Sequence, residues 1–250
     1  YDIHPAVRAR AYARLENKPA AHERLRDLYA EAPPPKVVRS VADLSPLVER
    51  FHHTLRAGRR DEAFELFKER LYVPLCVHLG DRASCFEMLR ALLDTATSGE
   101  TPLRDAGARE EAFALFAGLA GDLGLTEAAA NALAQAVEEG SRVGPGESLA
   151  VNLVELAHRQ SLLGRLVAAE VSLRRALEVS QGLGMPQVQR AARLELGRLF
   201  VLTGDAGQAE EELRNAGPGK AGDSVALAYS AALLLLQGER ARAEAMASQA

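Results

Sequence analysis

Five glycines recur along this chain, and an alanine follows each of them five residues later. A glycine just past the end of a helix takes a left-handed backbone conformation, which stops the helix and turns the chain. An alanine in the following helix lets the two helices cross closely. The spacing therefore predicts five antiparallel helical hairpins. The pairs are Gly58 and Ala63, Gly124 and Ala129, Gly164 and Ala169, Gly204 and Ala209, and Gly238 and Ala243.

The same alignment places matching residues at two further offsets. Nine residues after the glycines stand Phe67, Leu133, Leu173, Leu213 and Ala247. Twelve residues after them stand Ala136, Ala176, Ala216 and Ala250, whereas Arg70 breaks this pattern in the first repeat. Gly204 and Gly238 are 34 residues apart, which is the period of the tetratricopeptide repeat (TPR). The pattern resembles that repeat, in which small residues stand where two helices cross. The resemblance implies an all-α fold, a right-handed α-solenoid of TPR-like antiparallel helical hairpins.

Composition favours helices and excludes several classes of function. Hydrophobic residues make up 48% of the chain but aromatic residues only 5%, so the apolar share is mostly alanine, leucine and valine. A formal net charge of -4 gives no global field that would hold a polyanion, so nucleic acid is not an expected partner. No apolar run is long enough to span a bilayer, and Cys76 and Cys85 lack metal-site spacing. We expect a cytoplasmic protein with reduced thiols and no membrane partner.

The chain is predicted to contain two parts. Residues 1–40 form a helical linker that ends at the proline-rich phrase APPPKVVRS, and residues 41–250 form the TPR-like domain of about five to six hairpins. An extra helix at 84–93, SCFEMLRALL, and a loop over TATSGETPLRDAG fill the long gap between Gly58 and Gly124. The first residue is not Met and the last lie within the helical pattern, so we expect a piece of a longer protein.

The opening phrase YDIHPAVRARAYARL resembles the end of the winged-helix region in STAND-class NTPases, a class of signalling ATPases. In that family a hydrophobic-His-Asp motif precedes a helix, and its histidine contacts bound ADP. Ile3 and His4 match the motif, whereas Pro5 stands in place of the aspartate, which leaves the nucleotide contact of His4 open. Residues 41–250 resemble the TPR sensor halves of bacterial members. The resemblance implies a parent NTPase domain in cis, outside this chain.

Candidate binding residues follow from the TPR resemblance, in which the first helix of each hairpin lines a concave groove. The offset from the turn glycine places His52, His158 and Arg198 at equivalent groove positions, with Glu155 and Glu195 one turn earlier. A groove that mixes acidic, basic and imidazole groups suits a charged or polar peptide or protein. In the last repeat the corresponding residues are apolar, including Ala228, Ala232 and Leu235, and suit either a covering helix or a docking partner.

Two functions remain open at this stage. The first is a non-catalytic protein-interaction or ligand-sensing TPR domain, which the resemblance implies to be the sensor or regulatory part of a bacterial STAND NTPase in signalling or defence. The alternative is the inducer-binding helical-repeat domain of a maltose-activator-type transcription regulator. The motifs of phosphate-binding loops, zinc proteases and serine hydrolases are missing from the sequence, so we predict no catalytic residue, no cofactor and no metal site.

Overall fold

The computed structural model describes residues 10–33, 35, 37–94, 102–217 and 224–248, and within these ranges it contains helices and no strand. The chain divides into two compact units, residues 1–108 and residues 109–250. Three sequence predictions lie wholly or partly outside the described residues: the motif Ile3, His4 and Pro5, the end position Ala250, and residues 95–101 of the predicted loop.

The first unit holds helices of uneven length. They are α1 (Lys18–Ala30), a 3-10 helix (Val41–Leu44), α2 (Ser45–Arg56), α3 (Arg60–Leu66), a π-helix (Phe67–His78) that continues α3, and α4 (Arg82–Leu93).

The second unit holds a regular series of helices. The first of them, α5, begins just before the boundary at residue 109. Its helices are α5 (Ala106–Asp122), α6 (Thr126–Val143), α7 (Glu147–Leu162), α8 (Leu166–Gly182), α9 (Pro186–Thr203), α10 (Ala206–Asn215), α11 (Ser224–Leu236) and α12 (Arg240–Ala247). Helices α7 and α8, α9 and α10, and α11 and α12 pack as consecutive pairs, and the first helices α7, α9 and α11 also contact one another in turn.

The glycine prediction is confirmed at all five turns, where φ lies between 73° and 83°. The turn after α9 shows how the chain reverses. Gly204 takes the left-handed conformation, and the Asp205 amide donates a hydrogen bond to the Phe200 carbonyl at 2.9 Å. The Asp205 carboxylate then accepts from the Gln208 amide at 3.0 Å and so caps the start of α10.

The alanine prediction is confirmed as well, since all five alanines are at most 2% exposed. Small residues on the first helices complement them. A Cβ on Gly197 of α9 would lie 2.7 Å from both Cγ and Cδ2 of Leu213 on α10. The absence of that carbon lets α9 and α10 approach closely. Around these crossings, Leu156, Leu196 and Phe200 belong to one buried apolar cluster.

The second helix of the first hairpin differs from an ordinary α-helix. From Phe67 to His78 it widens into a π-helix with Pro74 inside it. The Leu79 amide donates to the Pro74 carbonyl, five residues back, at 3.1 Å. Proline lacks an amide hydrogen and clashes with the preceding turn of an α-helix, and a wider turn accommodates it. The glycine and alanine spacing carries no sign of this change.

The extra helix predicted at 84–93 is confirmed as α4, which starts at Arg82. Asp81 caps it, because its carboxylate accepts from the Ser84 amide at 3.1 Å. At the other end the buried Arg60 of α3 donates to the backbone carbonyls of Leu92 and Asp94. A buried cation therefore neutralises the negative end of the α4 dipole and ties α4 to α3.

Helix α1 packs on α2, although it belongs to the stretch predicted as a linker. Nδ1 of His22 lies 2.9 Å from Nδ1 of His53, so one ring donates and the other accepts. Arg59 forms an ion pair with Glu23 at 2.9 Å. The boundary at residue 40 stays a prediction. Among the described residues, no helix has the length and apolar composition needed to cross a bilayer.

Candidate functional site

A polar cluster joins the first helices of the last three hairpins. Three of its residues, His158 on α7 and Glu195 and Arg198 on α9, were predicted from the sequence. The other two are Ser161 on α7 and Tyr229 on α11. The helical repeat places them together because the first helices contact one another in turn.

The Glu195 carboxylate is the centre of this cluster. Its Oε2 atom accepts from Nδ1 of His158 at 3.3 Å, and from Nε and Nη2 of Arg198 at 3.0 Å and 2.8 Å. Its Oε1 atom accepts from the hydroxyl of Tyr229 at 2.9 Å. Arg198 also donates to the hydroxyl of Ser161. One carboxylate thus connects α7, α9 and α11.

These contacts fix the protonation states of two ionisable groups in the cluster, Glu195 and Tyr229. Burial alone would raise the pKa of Glu195, but the hydrogen bond from His158 and the charge and hydrogen bonds of Arg198 outweigh it and lower the pKa to about 2. Burial, with the neighbouring carboxylate, raises the pKa of Tyr229 to about 12. At neutral pH Glu195 is ionised and Tyr229 is protonated. Both values lie far from the range that suits general acid or base catalysis.

Another predicted residue, His52, lies in the first unit and lines a pocket of about 390 Å³. The pocket lies between the 3-10 helix, α2, the π-helix and α4. Its apolar lining consists of Val41, Val48, Leu55, Leu75, Met88 and Ala91, and its polar lining of His52, Arg56, Ser84 and Glu87.

The two adjacent histidines of α2 face different surroundings. Burial lowers the pKa of His52 below its ordinary value, the charge of Arg56 lowers it further, and Glu49 opposes the shift. His53 instead contacts His22 and lies 3.9 Å from the carboxylate of Glu49. His52 is therefore a neutral imidazole at neutral pH and borders the pocket, as expected for neighbours that point about 100° apart on a helix.

Comparison with solved structures decides the fold. The crystal structure of BtubC (BKLC) from P. vanneervenii is 19% identical, with a TM-score of 0.57, over 94% of this chain and 89% of that chain. A kinesin light chain candidate from Podosopora anserina, which has nearly identical TPR-like repeats, is 17% identical, with a TM-score of 0.53, over 76% of this chain and 90% of that chain. The chain has a TPR-like fold.

A variant of the Podosopora anserina protein gives a similar result, with 18% identity and a TM-score of 0.55 over 79% of this chain and 93% of that chain. The predicted class, an all-α solenoid of TPR-like antiparallel hairpins, is confirmed. No protein-family model matches the sequence. No curated protein matches it by sequence.

The structure brings together three of the five residues that were predicted to line the groove. His158, Glu195 and Arg198 form one cluster on the first helices, whereas Glu155 is exposed on α7 and is not among the groups that Glu195 contacts. Tyr229 was not predicted from the sequence. Its signal was available, because Tyr229 precedes Gly238 by nine residues, as Glu195 precedes Gly204.

A second polar contact near the start of the second unit was also missed. Glu110 of α5 is buried, and its carboxylate accepts from the Asn152 amide of α7 at 3.1 Å. Burial raises the pKa of Glu110, and the hydrogen bond from Asn152 opposes the rise. On the next helix, Glu139 forms an ion pair with Arg109 at 2.8 Å. Polar bridges thus connect first helices at both ends of this series.

Proposed function

We propose that this chain is a non-catalytic TPR-like module that binds a protein or peptide on the first-helix face, the surface formed by α7, α9 and α11. The observation that carries the proposal is the Glu195 carboxylate, which connects these three helices through His158 and Tyr229. A surface whose charged groups already hold fixed positions loses less conformational entropy when a ligand binds. Such a face suits recognition of an extended or helical polar peptide.

The predicted groove residues divide into two roles under this proposal. Glu195 and Arg198 are largely buried, with side-chain exposures of 14% and 18%, and they hold the face in shape. His158, with 36% of its side chain exposed, and the exposed Glu155 present an imidazole and a carboxylate to the partner. A peptide that offers basic groups and hydrogen-bond donors complements this pair.

The chemistry of the candidate acids and nucleophiles supports a role in binding rather than catalysis. Glu195 and Tyr229 titrate near 2 and 12, and neither exchanges protons readily at neutral pH. Cys85 is buried, and burial together with the nearby Cys76 and Asp81 raises its pKa to about 12. A thiol with so high a pKa is a poor nucleophile, because the thiolate is the reactive form.

We further propose that the module is the cytoplasmic sensor of a bacterial STAND NTPase, in which residues 1–40 link the repeat array, residues 41–250, to an NTPase domain in cis. The support is the resemblance carried by Ile3, His4 and the first repeat. Partner binding would then control nucleotide hydrolysis in the parent protein. His52, Glu155, His158, Glu195 and Arg198 are the proposed partner-binding and positioning residues.

The binding proposal is tested by selecting a random peptide library displayed on phage against the immobilised chain. We expect enriched peptides that share a motif and bind saturably in fluorescence anisotropy. Reversing a charge on the first-helix face, Glu155→Arg, should abolish that binding. The matched control is Glu178→Arg, because Glu178 is exposed on the second helix α8 and should be irrelevant. Equal binding by both variants would contradict the proposed face.

The sensor proposal is tested on the intact parent protein. We expect ATP hydrolysis that changes several-fold when a selected peptide is added, and no change when the parent carries Glu155→Arg. A parent that contains no NTPase domain, or whose hydrolysis ignores the peptide, would contradict the sensor role and leave the binding role standing.

A further inference from the structure

The pocket in the first unit has a largely apolar lining, unlike the polar cluster on the first-helix face. Its apolar floor comes from three helices, with Leu55 on α2, Leu75 on the π-helix and Met88 on α4. A volume of about 390 Å³ lies at the small end of the range of about 300–1,000 Å³ found for ligand pockets. It suits one or two aliphatic side chains rather than a large cofactor.

The charges at its rim favour an anion. Arg56 is exposed, and in the part of the chain that the structure describes no carboxylate pairs with it. Glu87, the carboxylate that lines the same pocket, is bound by Arg90 on its own helix. The rim therefore presents one uncompensated cation next to an apolar floor.

His52 adds a directional group at the same edge. Burial and the charge of Arg56 keep its imidazole neutral, so the ring has one N–H donor and one acceptor nitrogen. Among the described residues its ring nitrogens have no hydrogen-bond partner. The imidazole N–H group and the Arg56 guanidinium line the same pocket, and both are donors that hydrogen-bond a carboxylate.

We propose that this pocket binds a peptide segment in which an aliphatic side chain is followed by an acidic residue. The aliphatic group packs on Leu55, Leu75 and Met88, while the carboxylate contacts Arg56 and His52. The inference rests on the proposed function in one respect, namely that the chain is a peptide-binding module. It adds a second site and the chemistry of its ligand.

The three methionines of the chain provide the test, because Met88 lines the pocket and Met185 and Met246 lie in the second unit. The full chain is labelled with ¹³C at the methionine methyl groups, and Met88→Leu assigns the pocket resonance. The probe is the end-blocked peptide Gly-Ser-Leu-Asp-Asp-Gly-Ser. We expect a saturable shift of the Met88 resonance at millimolar peptide, with the Met185 and Met246 resonances unchanged.

Peptide and protein variants then separate the two parts of the ligand. Replacing leucine by serine, or both aspartates by asparagine, should weaken binding by about tenfold, as loss of a charged hydrogen bond or of a buried side chain would. Arg56→Gln should do the same. Arg24→Gln is the matched control, since Arg24 is exposed on α1 in the same unit and does not line the pocket.

The inference would be overturned by a Met88 resonance that does not move, by equal affinity for the aspartate and asparagine peptides, or by an Arg56→Gln variant that binds like the parent chain. Free 4-methylpentanoate that shifts Met88 as strongly as the peptide would identify a small aliphatic acid as the occupant and also overturn it. Each of these leaves the first-helix face untouched, because that proposal is tested by Glu155→Arg.

Discussion

Replacing Glu195 by glutamine should destabilise the protein in a manner that depends on pH. Glutamine keeps the shape of the side chain and one acceptor oxygen for Tyr229 or Arg198, but it removes the charge that those groups and His158 surround. The change therefore isolates the electrostatic part of the link between α7, α9 and α11. It leaves the apolar core around the cluster in place.

The magnitude follows from the pKa of the carboxylate. In the folded chain the pKa of Glu195 is lowered from an ordinary 4.5 to about 2. Each pKa unit corresponds to about 1.4 kcal/mol, so the ionised group contributes about 3 kcal/mol to folding at neutral pH. A lowered carboxylate pKa gives stability that is fully present above the unfolded pKa and is lost as pH falls through the folded pKa. The contribution should thus disappear between about pH 4.5 and about pH 2.

The assay is urea unfolding followed by circular dichroism, for the parent chain and Glu195→Gln, at several pH values from neutral to acid. We expect the variant to be about 3 kcal/mol less stable at neutral pH, with the two chains converging as pH approaches the folded pKa. Glu155→Gln is the control, since an exposed carboxylate outside the cluster should change stability by at most about 0.5 kcal/mol. If Glu195→Gln loses no stability at neutral pH, or loses the same amount at every pH, the charge of Glu195 does not stabilise the fold.

Three further predictions concern packing, capping and thiol reactivity. Gly197→Ala should lower the free energy of unfolding by about 1–2 kcal/mol, because the added Cβ would lie 2.7 Å from Leu213. Gly118→Ala is the control: the space around Gly118 is open, so alanine should raise the free energy of unfolding by up to about 1 kcal/mol. Urea titrations of both variants check this, and equal effects would contradict it. Arg60→Ala should release the C-terminal carbonyls of α4 and speed amide exchange in its last turn several-fold, whereas unchanged exchange would show that the arginine does not cap the helix. Cys85 should react with a disulfide reagent only after unfolding, and labelling of the native chain at the rate of a free thiol would contradict its burial.

Much of the second unit could be predicted from the sequence because its signals are local and repeat. A left-handed glycine such as Gly164 or Gly204 is needed where a helix stops within one residue, and a small side chain such as Ala169 or Ala209 is needed where helices cross. Both requirements come from the backbone geometry of a hairpin. They hold whatever residues surround them.

The first unit was less predictable because its features depend on contacts distant in sequence. The π-helix around Pro74 and the packing of α1 through His22 onto His53 leave no periodic signal. Arg60 reads as an ordinary surface charge in the sequence, and only the position of the end of α4 makes it a buried cap.

The candidate site was only partly predictable from the sequence. The offset from the turn glycine placed His158, Glu195 and Arg198 on one face, since that offset fixes which side of the helix a residue occupies. The offset could not show that Glu195 would be buried among donors from three helices while Glu155 stays exposed. Burial depends on the packing angle between neighbouring hairpins, which the repeat spacing does not determine.

Binding of a partner to the first-helix face can be located by hydrogen–deuterium exchange of the full chain, measured with and without a saturating concentration of a selected peptide. We expect slower exchange in the first helices α7 and α9, with the second helices α8 and α10 unchanged. Slower exchange confined to α8 and α10, or none anywhere in the chain, would contradict binding to this face.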